Sequence, residues 1–250
     1  MTIIFTSLSL LLPGTVCNGQ ANLYTKKMLL EDFSTRTTKI VLNGNSPLEL
    51  AVKGEMASRW RLSPYEYCTV EEYNALAQDN SYYFLRLVSD DGTAFLQLSK
   101  GGREDDADRK KRPLEVVRIP ISTDGMMTGD EAIYMGAFLD IIQYYTEQAM
   151  DSDRMGYSGL AGFNLTGMQG KTVYMDPERA AEAFQNEEEG AVVPVMIIPE
   201  NGTTFYKMLI AADTNELLYY ASGKLGKSRR AEFSKAELIL IEKRHAVIVE

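Results

Sequence analysis

The 250-residue chain has one histidine, His245, and two cysteines, Cys17 and Cys68. So few soft donors, scattered along the chain, cannot close a zinc shell, and neither a metal nor a cofactor is expected. Basic residues are also in deficit. Against 35 Asp and Glu stand 26 Lys and Arg, a net charge of −9. That balance argues against nucleic acid, whose phosphates need cations, and against an anionic membrane surface. After residue 20 no second long apolar run occurs, so the mature chain should carry no transmembrane span. No Gly-x-Gly-x-x-Gly follows a strand-like run. Gly226-Lys227-Ser228 ends like a phosphate loop, but Ala221 stands where its first glycine belongs. Asp151, Asp153 and Gly156 have the spacing of a calcium loop, yet Met155 and Gly162 occupy two ligand positions. No internal repeat at a solenoid period is visible.

Charge of either sign is missing from the first 25 residues, and Lys26 is the first ionised side chain. Ile3 to Leu12 are of the length of a signal-peptide core and too short to span a bilayer. Pro13 and Gly14 break the run, and Cys17 and Gly19 put small side chains at −3 and −1 of a cut before Gln20. A signal peptide over 1–19 is expected, with a mature chain of 20–250 in the periplasm or outside the cell. No Lys or Arg precedes the apolar core. The alternatives are a buried N-terminal strand and a lipid anchor on Cys17, though Gly14 and Val16 are not the residues a lipoprotein signal uses before its cysteine. After the cut Cys68 stands alone, so no internal disulfide can form.

Four helix starts are written plainly. Ser46-Pro47-Leu48-Glu49, Thr69-Val70-Glu71-Glu72 and Thr128-Gly129-Asp130-Glu131 are capping boxes, and Asp176-Pro177 is a capped start with proline in the first turn. The third should open the longest helix, running to about Met150, apolar on most faces and including Ile133, Phe138, Ile141 and Ile142. Strand-like runs lie between: 38–42, 65–68, 82–89, 93–99, 114–121, 172–175, 192–198, 205–211 and 217–220, with a last one beginning at 236–241. Asp91-Gly92 suits a two-residue hairpin turn. The fold class is α+β, with mixed, largely antiparallel sheet packed on one long central helix plus short capped helices. A charged, glycine-led stretch at 101–113 marks a possible break between two lobes of a single globular unit.

From Lys39 to Leu87 the order is strand, capped helix ending in Arg59, strand SPYEYCT, short helix VEEYNAL and strand YYFLRLV. This order resembles the small periplasmic domain shared by the curli-export lipoprotein, the penicillin-binding-protein activator lipoproteins and the amino-terminal part of the Tol translocation protein. The resemblance covers about a fifth of the chain. It implies an envelope protein that docks to partners and carries no catalytic residues in this segment.

Catalytic signals are sparse. Gly156-Tyr157-Ser158-Gly159 approaches a nucleophile elbow, and Asp213 and His245 follow in the order of an α/β-hydrolase triad. A helix rather than a strand should lead into Ser158, so the triad Ser158, Asp213, His245 is kept as the alternative to no catalytic site. Tyrosines give the other signal. Tyr65, Tyr67, Tyr82 and Tyr83 cluster in the first half, and Tyr144 and Tyr145 lie on the long helix. Tyrosine joins a large contact area to a polar tip, which suits partner contact. Of Tyr82 and Tyr83 only one can face outward, since strand neighbours alternate. The expected function is binding to another envelope protein. A secreted or periplasmic serine hydrolase and a carbohydrate-binding module are the alternatives.

Overall fold

The computed structural model describes residues 26–102, 113–123, 131–226 and 231–249. The expected signal peptide with Cys17, most of the charged stretch at 101–113, and the first three residues of the box at Thr128 lie outside the described residues.

A short helix α1 (Lys26–Leu30) and one 3-10 turn lead into β1 (Thr37–Val41). Then come α2 (Pro47–Arg59), β2 (Tyr65–Cys68), α3 (Val70–Leu76), β3 (Tyr82–Asp90), β4 (Thr93–Lys100) and β5 (Leu114–Thr123). The five strands form one sheet in the order β2-β1-β3-β4-β5. β1 runs parallel to both β2 and β3, while β3, β4 and β5 are antiparallel neighbours. The capping boxes form as the sequence implies. The Ser46 hydroxyl accepts from Glu49 N–H and the Thr69 hydroxyl from Glu72 N–H, while each glutamate reaches back to its cap. The β3–β4 turn has Asp91 at φ 49° and Gly92 at φ 72°, the two left-handed residues that a type I′ turn requires.

The second half holds α4 (Met135–Asp151), α5 (Asp153–Ser158), β6 (Thr172–Tyr174), α6 (Pro177–Gln185), β7 (Ala191–Ile197), β8 (Thr204–Ala211), β9 (Leu217–Lys224), α7 (Lys235–Glu242) and β10 (Val247–Val249). Its sheet order is β10-β6-β7-β8-β9, with β6 parallel to β10 and β7, and β7, β8 and β9 antiparallel. The strand expected at 236–241 is instead the helix α7. A third complete box, Ser234 with Glu237, caps it, and that local pairing outweighs the β-compatible composition of Leu238–Ile241.

The long helix is present as α4, entered through a 3-10 turn at Glu131–Tyr134, and the α+β class holds with two mixed sheets. Phe138, Ile141 and Ile142 are buried, whereas Ile133 lies in the lead-in turn, 37% exposed. Helix α4 packs on α1, α2, α5 and β5. One apolar cluster joins Phe138 to Leu85 and Leu98 of the first sheet and to Val193 and Met208 of the second. Phe95 and Tyr206 meet edge to face across the two halves at 5.4 Å. Two left-handed turn residues add long-range bonds, Asp91 to the second half and Asn215 to the long helix. The Asp91 carboxylate accepts the Thr203 N–H and hydroxyl, both at 2.9 Å, and Asn215 (φ 59°) donates to Asp140 on α4 at 2.8 Å. Among the described residues no helix is long and apolar enough to cross a membrane.

Candidate functional site

The three hydrolase candidates stand in unrelated settings. Ser158 ends α5 and is exposed, with helix before it and a 3-10 segment after it. Asp213 is spent on Lys171 (3.2 and 3.3 Å) and on the Gly190 N–H (3.0 Å). Burial would raise the Asp213 carboxyl, but those donors hold it below the ordinary value. His245 is exposed in the turn between α7 and β10, at φ 68°. Among the described residues no hydrogen bond joins any two of the three.

Among the described residues three surface clefts can be compared. One, of about 360 Å³, is lined by Arg59, Arg61, Asp140, Gln143 and Tyr144, a set that suggests sugar recognition. Glu147 also lines it, and most of its other polar groups are already engaged. Gln143 accepts the Arg61 and Leu62 N–H groups and donates to the Arg59 carbonyl, Arg61 caps the end of α2, and Asp140 holds Arg59 and Asn215. One face of Tyr144 is stacked on Phe163 at 5.6 Å. A second cleft, of about 210 Å³, again uses Arg59 and Asn215, both committed.

The third cleft, of about 300 Å³, differs in kind. It opens at the carboxyl ends of β1 and β2, between the first turns of α2 and α3, with Leu42, Leu50, Lys53, Tyr67 and Cys68 in its wall. Leu48, Val52 and Met56 of α2 join the main core with Tyr83 and Leu85, while Tyr73 and Leu76 of α3 cover Phe84 on the opposite face. Adjacent parallel strands whose following helices leave to opposite faces create a crevice at their carboxyl ends, the place where open sheets bind ligands. In many such crevices the helix N–H groups hold an anion. Here the protein's own carboxylates stand at both helix starts and take the N–H groups of the two caps and of the loop before α2. Glu49 accepts the N–H groups of Asn43, Gly44 and Ser46, and Glu72 accepts that of Thr69. Burial would raise the Glu49 carboxyl, but those donors outweigh it and keep the carboxyl below its ordinary value, hence charged. The cleft lining thus sets two carboxylates, Glu49 and Glu72, against one cation, Lys53. Cys68 is buried, and burial followed by the Glu72 charge pushes its thiol up despite Lys39, so it is a protonated wall and a poor nucleophile.

Beside this crevice lies the outer edge of β2. Thr38 N–H donates to the Pro64 carbonyl and Leu42 N–H to that of Cys68. In a parallel ladder the residues between turn their backbone groups the other way. Tyr65 and Tyr67 thus direct N–H and C=O away from β1, and among the described residues nothing pairs with them. Tyr67 lies against α2 at 43% exposure, its ring 5.9 Å from both the Tyr65 ring and the Lys53 ammonium. Of the other two candidate tyrosines, Tyr82 is half-buried under Lys39 (5.2 Å). Tyr83 is fully buried and donates to Asp32 at 2.7 Å, so its ring serves the core. The open backbone edge went unread in the sequence, because edge position depends on which strand lies next to which.

No family model, no curated protein and no solved structure matches the chain.

Proposed function

We propose that the protein is an exported envelope component that acts by binding another protein, taking an extended segment of that partner along the open edge of β2. The observation that carries this reading is the pair of outward-facing backbones at Tyr65 and Tyr67 beside an unfilled crevice. Unpaired strand edges accept an added strand, and folds usually blunt those they do not use. Two of the four sheet edges here are blunted by side chains. Lys26 donates to the Val116 carbonyl on β5 at 3.0 Å. Asn164 bonds both the N–H and the C=O of Tyr220 on β9, at 2.7 and 2.9 Å, standing in for a strand. On β10 the three-residue strand turns only Ile248 outward, since Val247 and Val249 bond to the backbone flanking β6. β2 is the edge whose outward positions, Tyr65 and Tyr67, lie beside the crevice. The uncharged first 25 residues and the resemblance of Lys39–Leu87 to a docking domain of envelope proteins support the same reading.

The test is a photo-reactive phenylalanine at position 50, in the crevice wall, and at position 157, distant and 73% exposed, in cells carrying the natural gene. Position 50 should yield one adduct of discrete mass that position 157 lacks, and Tyr67→Pro should abolish it by removing an outward N–H that β1 does not use. Equal adducts at both positions, or none at 50, would overturn the docking reading. The same spectra report the start of the mature chain. Gln20 is expected, and retention of residues 1–19 would overturn export.

A further inference from the structure

The crevice and the edge together also specify the chemistry of what they take. We infer that the partner segment is basic, with an arginine or lysine side chain entering the crevice between α2 and α3. This rests on the docking reading above and adds the sign of the ligand.

Strand addition places alternate side chains of the incoming segment on opposite faces of the sheet. On the face shared with Tyr67 and α2, they meet Glu49, held ionised by backbone donors, and the apolar stem contacts offered by Leu50 and the Tyr67 ring. On the other face they meet Glu66 and the first turn of α3, where Glu71 and Glu72 lie. Glu49, Glu66, Glu71 and Glu72 stand against two cations, Lys53 beside Tyr67 and Lys39 paired with Glu66, so the surroundings of the edge stay net acidic. A long basic side chain matches this lining throughout. Its methylenes lie on Leu50 and Tyr67, and its charged head finds carboxylates and an aromatic face. The protein supplies its own illustration. Among the described residues no carboxylate pairs with Lys53, which holds its ammonium 5.9 Å from the Tyr67 ring centroid, in the wall of the crevice. An incoming cation competes with Lys53 for that ring. Removing Lys53 should therefore tighten binding, a gain that general damage to the fold cannot imitate.

The experiment uses the full chain and two fluorescent peptides of equal length, one alternating arginine with valine and one alternating glutamate with valine. At low salt the basic peptide should bind at least about ten-fold more tightly, with the preference shrinking as salt screens it. Lys53→Ala should tighten the basic peptide by about three-fold, and Glu71→Lys, at a solvent-exposed first-turn position outside the cap, should weaken it by about ten-fold. Methylating alternate backbone nitrogens of the peptide should abolish binding in one register and spare it in the other, which reads strand addition without altering the protein. Equal affinity for both peptides, each lost with Tyr67→Pro, would overturn the basic partner and leave the docking edge standing. Binding of the basic peptide that ignores Lys53→Ala, Glu71→Lys and N-methylation would overturn the site itself.

Discussion

The two sheets share one layout and are built from different chain orders. From the parallel edge inward, β2-β1-β3-β4-β5 and β10-β6-β7-β8-β9 run through the same directions: two parallel pairings, then two antiparallel ones. In the first sheet the edge strand is made early, between β1 and β3, and two crossover helices go to opposite faces. In the second it is made last, after β9, and only α6 separates β6 from β7. The consequence lies at the edge. An early crossover leaves a crevice beside β2, whereas the late return brings α7 across the outer face of the second sheet and closes it. The closure is polar at its centre. Lys207, 3% exposed, donates to both carboxylate oxygens of Glu237 at 2.8 and 3.0 Å and to the Glu232 carbonyl at 2.7 Å, and Tyr219 donates to Glu237 at 2.8 Å. The first sheet has the accessible surface, and the second has the lock.

The largest effect should come from the residue both sheets share. Phe138 is fully buried in the cluster that contains Leu85, Leu98, Val193 and Met208. Phe138→Ala should cost about 4 kcal/mol, the loss expected on emptying a large aromatic core site. Hydrogen exchange should accelerate together in β4 and β8 if the two sheets form one cooperative unit. Acceleration in one with protection kept in the other would make them independent domains, and the comparison would become one between two proteins.

Breaking the lock should cost somewhat less. Lys207→Met strands a largely buried carboxylate, and removal of one partner of such a pair costs about 3 kcal/mol or more. Glu237 keeps its Ser234 and Tyr219 donors, which places the loss toward the lower end. Burial alone would raise the Glu237 carboxyl, but Lys207, Ser234 and Tyr219 together bring it from 4.5 down to about 2. A depressed carboxyl stabilises the fold above its ordinary value, and that contribution is lost as pH falls. Melting temperature in the wild type should therefore decline from pH 4.5 toward pH 2, and Lys207→Met should flatten that decline. An unchanged slope would remove Glu237 from the account.

How much of this was legible in the sequence follows from the range of each interaction. Helix caps act over three residues, so the starts of α2, α3 and α6 are legible directly, as is the left-handed turn at Asp91-Gly92. The same signal stands at Ser234-Lys235-Ala236-Glu237, where the aliphatic run after it masks the helix in the sequence although the box prevails in the fold. The shared layout left no sequence period, because the equivalent edge strands sit at different places in the chain order. The candidate site was half visible. Tyr65 and Tyr67 stood out as tyrosines, but their importance lies in backbone groups turned outward, which only the sheet order decides. Tyr83, indistinguishable from Tyr82 by composition, was assigned to the core by the strand's alternation and by Asp32, a residue 51 positions away.

The smallest expected effect sharpens the contrast between the two sheets at their caps. Ser46 and Ser234 make the same box, each hydroxyl accepting the N–H of a glutamate three residues on, at 3.3 Å. Replacing a serine cap with alanine costs about 1 kcal/mol. The two glutamates behind the caps differ, however. Glu49 is held by three backbone N–H groups around its own turn, so Ser46→Ala should loosen only the first turn of α2 and the crevice wall. Glu237 also anchors Lys207 and Tyr219, so any drift of its carboxylate is felt across the outer face of the second sheet. Ser234→Ala should then cost more than Ser46→Ala by a few tenths of a kcal/mol, and its hydrogen-exchange signature should reach β8 and β9 rather than stop at the helix start. Equal losses, each confined to one turn, would show that the lock does not depend on its cap, and that the two sheets differ in surface alone.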